Sequence, residues 1–317
     1  MAHPTLEQIR QAAARISPYV HRTPVFTCRS LDAMTGATLF LKCENLQKVG
    51  AFKIRGATNA VLSLADREAA RGVATHSSGN HAAALALAAR WRGVRAYVVM
   101  PENATAVKQR AVEGYGAEVV PCRPTLAARE EMLAEVVART GATVIHPYDD
   151  YRIIAGQGTA ALELCEEVDD LDVIMAPVGG GGLLSGTALA VRGISARTRV
   201  LGAEPEIADD AFRSLQAGRI IPSSYPDTVA DGLRTSLGEL TFPIIRKHVD
   251  AIVTAGEADI IAATRTIWER MKLVVEPSAA VPLATILSGR VDLNGKRVGI
   301  VLSGGNVDLD TLPWRQK

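Results

Sequence analysis

Val173-Ile174-Met175-Ala176-Pro177-Val178-Gly179-Gly180-Gly181-Gly182-Leu183-Leu184-Ser185-Gly186 decides the fold. Its first four residues are a short apolar run with β-branched members, which reads as a buried strand. The four glycines permit a sharp turn, and residues 183–192 read as a helix. Strand, tight turn and helix make the unit of α/β folds with parallel sheets. The unit recurs on both sides. N-terminal to it, strands are expected over residues 73–75, 95–100 (ended by Pro101), 117–120 and 143–145, with helices over 81–92, 105–113 and 126–139. C-terminal to it, strands are expected over 199–203 and 297–302, and helices over 257–272 and 278–288, the second started by Pro277. A helix over 158–168 precedes the glycines. No repeat and no low-complexity linker interrupts the series. A small domain over 51–145 and a large domain of 1–50 and 146–317 are expected, with a cleft between them.

Bulk properties narrow the function. The chain has 317 residues, 48% hydrophobic and 22% charged, enough for two cores. A net charge of +1 gives no reason to expect nucleic acid or an anionic membrane as partner. The four cysteines, Cys28, Cys43, Cys122 and Cys165, contain no C-x-x-C pair and read as buried thiols of a reducing compartment. No apolar run is long enough to span a bilayer and the N-terminus lacks a signal core, so a cytoplasmic location is expected. Six histidines without H-E-x-x-H spacing argue against a zinc hydrolase.

Four segments carry chemistry. Gly50-Ala51-Phe52-Lys53-Ile54-Arg55-Gly56-Ala57 presents an amine after an aromatic residue. Alone it is a surface charge. Ser77-Ser78-Gly79-Asn80-His81 follows a strand and opens a helix. Its N–H groups suit an amino-acid carboxylate and Asn80 suits a phenolic oxygen, while plain N-capping accounts for the same residues. Gly179, Gly180, Gly181 and Gly182 bring backbone N–H groups and a helix dipole to bear on an anion, or else make only a tight turn. Their spacing is not that of a nucleoside triphosphate loop. Ser303-Gly304-Gly305-Asn306 offers a hydroxyl to a ring nitrogen, or is a turn. Together a lysine, an Asn-bearing loop, an anion cradle and a late serine are what pyridoxal phosphate (PLP) requires, with the lysine as its Schiff-base partner. A hydroxyl rather than a carboxylate at the pyridine nitrogen leaves a weaker electron sink, which favours prompt loss of a β-leaving group. Separately, Glu204-Pro205-Glu206-Ile207-Ala208-Asp209-Asp210 packs four carboxylates into seven residues. A hard cation wants such oxygens, and a solvated acidic loop is the competing reading.

These segments, in this order, resemble the fold-type II PLP enzymes of the serine/threonine dehydratase and serine racemase group. The likeness covers nearly the whole chain and includes Lys42-Cys43-Glu44-Asn45-Leu46-Gln47, Ala155-Gly156-Gln157-Gly158-Thr159 and Val229-Ala230-Asp231-Gly232-Leu233. It implies a two-lobed α/β fold like that of the tryptophan synthase β chain, and a homodimer. It implies Lys53 as Schiff-base lysine and base, Phe52 beside the ring and Asn80 on the 3′-oxygen. Residues 179–182 would hold the phosphate and Ser303 the pyridine nitrogen. Ser77, Ser78, Gly79, Asn80 and His81 would hold the substrate, with Ser78 matching the opposite-face serine of racemases. Glu204, the carbonyl of Ala208 and Asp210 match a divalent-cation site for Mg2+, Ca2+ or Mn2+. Arg129 matches an arginine near the substrate mouth of racemases that can meet a second carboxylate, with a surface helix charge as the competing reading. Ala51 stands where many dehydratases carry serine, and His146-Pro147-Tyr148-Asp149 departs from the His-Pro-Asn type of mammalian-like racemases. Both departures resemble the hydroxyaspartate and bacterial threonine dehydratase branches more.

The expected reaction is elimination of water from a 3-hydroxy amino acid such as L-threonine or L-serine, giving a 2-oxo acid and ammonia. The alternatives on the same scaffold are a 3-hydroxyaspartate dehydratase and a serine racemase. Outside it stand a nicotinamide-dependent oxidoreductase using the glycine loop and a non-catalytic amino-acid-binding module.

Overall fold

Successive residues of the strand Val173–Pro177 point to opposite faces, and both faces are covered. Ile174 and Ala176 enter a core shared with Ile154, Leu184 and Ile245. Val173 and Met175 enter another, shared with Leu41, Ala279 and Val298. A strand buried on both sides must be apolar throughout, and this one is. The computed structural model describes residues 3–104, 106–224 and 226–314.

Among the described residues the strands are β1 (Val25–Phe26), β2 (Thr38–Cys43), β3 (Val73–His76), β4 (Ala96–Pro101), β5 (Glu118–Cys122), β6 (Thr143–Val144), β7 (Val173–Pro177), β8 (Arg199–Pro205), β9 (Ala251–Ala255) and β10 (Arg297–Leu302). They form a six-stranded sheet in the order β1-β2-β10-β7-β8-β9 and a four-stranded sheet in the order β5-β4-β3-β6. Every pairing is parallel except β1 with β2. In the larger sheet β10 lies between β2 and β7, so the glycine run after β7 and the Ser-Gly-Gly-Asn turn after β10 leave the sheet side by side. In the smaller sheet β3 has β4 on one side and the later β6 on the other, which is a switch point. Ligands of open α/β sheets bind beyond such strand ends.

The expected elements are present with ends shifted by a residue or two, with one larger exception. The helix expected from residue 158 begins at Tyr151 and runs to Glu167. Asp150 caps it by accepting the Arg152 N–H. The start expected at Thr105 lies outside the described residues. Elements without an expectation include β1, β2, β9 and the helices Leu6–Ile16, Arg29–Thr35, Lys53–Leu62, Asp66–Ala69, Asp210–Ala217 and Thr241–His248. No helix among the described residues is long and apolar enough to cross a membrane.

Candidate active site

Lys53 opens the helix Lys53–Leu62, and the segment before it is pinned to the turn after β10. Ala51 bridges Gly304, the Phe52 N–H donates to the Ser303 carbonyl at 3.0 Å, and the Gly305 N–H donates to the Gly50 carbonyl at 2.9 Å. Gly50 has φ +70°, and a Cβ there would stand 2.4 Å from Asn306 Oδ1, so the position admits only glycine. Two of the sequence motifs thus form one structure.

The Lys53 amine donates to the Pro147 carbonyl at 3.0 Å and lies 5.1 Å from the centre of the Phe52 ring. Desolvation pulls its pKa from the ordinary lysine value down to about 8, against the opposing charge of Glu276. A lysine so placed is neutral often enough near neutral pH to act as nucleophile or base.

Asn80 is the first residue of the helix Asn80–Arg92 and projects from the smaller sheet's side. Its Nδ2 donates to both carboxylate oxygens of Glu276 at 3.1 Å, and its Oδ1 accepts from Asn306 Nδ2 at 2.9 Å. Asn306 Nδ2 also donates to the Val49 carbonyl at 2.7 Å. A carboxylate only accepts, which orients the Asn80 amide, and that in turn orients Asn306. Glu276 was not singled out in the sequence, because a glutamate before Pro277 reads as an ordinary helix start. Its position is nevertheless central: it is buried, and its own N–H bonds Gly304.

Ser77, Ser78 and Gly79 precede Asn80 at the end of β3. A Cβ built at Gly79 would meet nothing within 4 Å, so the loop faces open space. The His81 side chain turns inward instead, with Nε2 3.1 Å from the Ile145 carbonyl. Burial, then the Lys53 charge, lowers its pKa to about 3, so it is neutral, and its Nδ1 is buried with no hydrogen-bond partner among the described residues. His146 is likewise held neutral by burial, at about 4, and its Nδ1 accepts the Asp149 N–H at 2.9 Å.

The glycine run starts the helix Gly182–Ile194, with Gly181 at φ +88° as its N-cap. All four glycines are hemmed in. A Cβ at Gly180 would fall 2.3 Å from the Tyr148 ring, at Gly182 3.0 Å from Tyr148, at Gly181 2.8 Å from Ile245, and at Gly179 3.0 Å from Leu233. The tight-turn reading is therefore correct as far as it goes. The anion reading rests on the N–H groups of the first helical turn, which have no intrahelical partner. Tyr148 adjoins Pro147, so the glycine run and the Lys53 amine are two neighbouring contacts of one loop. Ser303 is buried where β10 ends.

Arg129 lies on the helix Leu126–Thr140. Its charge acts on His76, at the end of β3, and on the Cys122 thiol. Its Nε is buried with no hydrogen-bond partner among the described residues. Its charge is thus felt at the residue before Ser77, and its Nε has donor capacity to spare.

Glu204, Ala208 and Asp210 lie elsewhere in the larger sheet's body. Glu204 and Asp210 are 1% and 2% exposed, which rules out a solvated loop for these two. Glu204 accepts the Ala211 and Phe212 N–H groups at 3.2 and 2.8 Å, capping the helix Asp210–Ala217. Burial pushes Glu204 up to about 9 and Asp210 up to about 7. Asp210 Oδ2 has no hydrogen-bond partner among the described residues. Two buried carboxylates, one with an orphaned oxygen, fit a hard cation with backbone carbonyls completing the set.

The buried amine, the oriented asparagine and the two helix starts fit PLP. Comparison with known proteins agrees, since the family described as "Pyridoxal-phosphate dependent enzyme" matches residues 16–304. The chain belongs to that family. The enzyme is 53% identical over 311 residues to the beta-hydroxyaspartate dehydratase of Paracoccus denitrificans, covering 98% of this chain and 99% of that one. It is 52% identical to the serine racemase of Arabidopsis thaliana, covering 96% and 93%. Its fold matches the crystal structure of serine racemase from Dictyostelium discoideum with a TM-score of 0.93 at 48% identity, covering 97% and 100%. It is a PLP-dependent enzyme of the lyase type with the fold-type II architecture.

Proposed function

We propose that the enzyme is a 3-hydroxyaspartate dehydratase, eliminating water and releasing ammonia to leave a 2-oxo acid. Threonine or serine comes first on the sequence alone, but the name of the Paracoccus relative supports the dicarboxylic substrate. The observation that carries this reading is Arg129, a cation whose buried Nε has no partner among the described residues and whose charge reaches His76, next to the loop proposed to meet the substrate. A 3-hydroxyaspartate differs from serine by one carboxylate, and a guanidinium is the group that recognises one.

The residues divide the work as follows. N–H groups of residues 77–81 hold the α-carboxylate at a helix start. Lys53 Nζ, kept partly neutral by desolvation, takes the proton from Cα. In this reading Asn80 Nδ2 would turn from Glu276 to the cofactor's phenolic oxygen, the first helical turn after Gly181 would hold its phosphate, and Ser303 would serve its ring nitrogen. Bound PLP supplies the electron sink for the charge left on Cα. Arg129 holds the second carboxylate, so that the β-hydroxyl is presented in one orientation.

A serine racemase is the second reading, favoured by the Arabidopsis relative and by Ser78, whose place in the Ser77–Asn80 loop suits a proton donor on the face opposite Lys53. Division into a small domain over 51–145 and a large domain of the remainder, a homodimer, a cytoplasmic location and a divalent cation at Glu204, Ala208 and Asp210 complete the proposal. The deciding experiment measures 2-oxo acid release from L-serine, L-threonine and each 3-hydroxyaspartate diastereomer with magnesium present. Dominant release from one hydroxyaspartate diastereomer is expected. Dominant release from threonine or serine would reject the dicarboxylic reading, and faster serine inversion than elimination would favour the racemase.

A further inference from the structure

Two stretches quoted above have no role in the site so far, the one holding Lys42 and Glu44 and the one from Ala155 to Thr159, and neither has Arg55, just past Lys53. They meet in one place. Arg55 is fully buried. Its Nε and Nη2 donate to Glu44 at 2.7 and 2.8 Å, and its Nη1 and Nη2 donate to Glu163 at 2.7 and 2.8 Å. Nη1 also donates to Thr159 at 3.1 Å, and Nη2 to the His21 carbonyl at 3.3 Å. Lys42, also fully buried, donates to Glu163 and to the Thr23 carbonyl, both at 2.6 Å. The Thr23 hydroxyl donates to Glu44 at 2.6 Å. Two cations and two anions cancel. Burial alone would lower the Arg55 pKa, but Glu44 and Glu163 outweigh it and raise it, and Arg55 and Lys42 hold Glu163 down in turn.

Such clusters are poor sources of stability, since apolar side chains of similar volume often do as well. Their effect is geometric: a guanidinium forked onto two carboxylates tolerates little displacement. What this one fixes is specific. Lys53 and Arg55 lie in one helical turn, about 200° apart around the axis, so the amine faces the cleft while the guanidinium faces inward. Glu163 and Thr159 belong to the helix Tyr151–Glu167, which begins just after Pro147, the acceptor of the Lys53 amine. Lys42 and Glu44 flank Cys43, which pairs with Leu302, the residue before Ser303. The Gly56 N–H adds a bond to Gln157 Oε1 at 3.1 Å.

We infer that Lys42, Glu44, Arg55 and Glu163 are positioning residues that register the Lys53 amine against the Pro147 carbonyl and the Ser303 turn. The inference rests on the reading of Lys53 as the lysine that captures PLP.

The test uses the full-length enzyme saturated with PLP and two neutral exchanges. Arg55→Met with Glu44→Gln removes one charge of each sign and leaves Lys42 paired with Glu163. Lys42→Met with Glu163→Gln does the converse. For each, PLP capture is followed by borohydride trapping on the peptide that carries Lys53, and kcat and KM are compared. Stability is read separately in a Lys53→Ala background, where capture cannot contribute. Capture and kcat are expected to fall about tenfold or more with KM little changed, while the thermal midpoint in the Lys53→Ala background moves by no more than about 3 °C. Unaltered capture in both exchanges would overturn the inference. So would a midpoint lowered by about 10 °C or more in that background, which would make the cluster a stability element. Cofactor trapped on a different lysine in the unaltered enzyme would overturn the functional reading first, and this inference with it.

Discussion

A lysine amine taken out of water resists protonation, and Lys53 is pulled to about 8 for that reason. The consequence for stability has a definite sign. Between about pH 8 and the ordinary lysine value near 10.5 the unfolded chain holds a proton at this site that the folded chain lacks. Stability contributed by this residue therefore rises with pH through that window, and the charged form is penalised below it. In enzyme stripped of cofactor, Lys53→Met is expected to remove that slope and to raise the denaturation midpoint at pH 7; an unchanged slope would show the amine to be solvated. Arg129 allows a second prediction. If it binds the distal carboxylate, Arg129→Gln loses charge-assisted bonds of about 1.5–3 kcal/mol. KM for the preferred hydroxyaspartate is then expected to rise by roughly tenfold to a hundredfold, with serine turnover little affected. Equal losses on both substrates would assign Arg129 to the fold.

Two glycines mislead when the helix Tyr151–Glu167 is read from sequence. Gly156 and Gly158 look like breakers, since glycine is a poor helix former, so residue 158 reads as a beginning. In space they are contact points. A Cβ at Gly156 would stand 2.6 Å from the Gly56 Cα, and one at Gly158 would stand 2.8 Å from the Gly186 carbonyl. The helix that carries Lys53 and the helix that follows the glycine run both pack against this one at backbone distance. Gly156→Ala is expected to cost about 1–3 kcal/mol by overpacking, seen as a lowered denaturation midpoint. Gly79→Ala should leave the midpoint unchanged, because its Cβ direction is open, yet raise KM if the loop holds the substrate carboxylate. β2 was illegible for a related reason. Lys42 interrupts an otherwise apolar run, and it takes the half-buried Glu163, 121 positions away, with the Thr23 carbonyl to explain a charge there.

The alternation of strands and helices, the parallel sheets and the placement of motifs after β3, β7 and β10 were all readable from local pattern. So was the list of candidate ligands for PLP, because glycine-rich strand ends and their capping residues are local features. What pattern could not supply is which groups face one another. Glu276 against Asn80, the Pro147 carbonyl against Lys53 and the inward turn of His81 all depend on packing between distant segments. The acidic segment shows the same limit: its composition is that of a solvated loop, while Glu204 and Asp210 are interior. If a cation joins them, chelation should lower the thermal midpoint or the activity of the whole enzyme, and magnesium or calcium should restore it. Indifference to chelator would leave Glu204 as a helix cap only.

The position of β10 also bears on how the molecule is made. The smaller sheet is complete once residue 144 has been synthesised. The larger one cannot close until residue 302 has left the ribosome, because β10 is the slat between β2 and β7. Until then β2 and β7 each present an unpaired apolar edge in the middle of what will be a sheet, a template for pairing with other nascent chains. Lys53, made early, waits for the Ser303 turn through most of translation. Chaperone dependence of this enzyme should therefore be concentrated in the interval between the emergence of β7 and the arrival of β10.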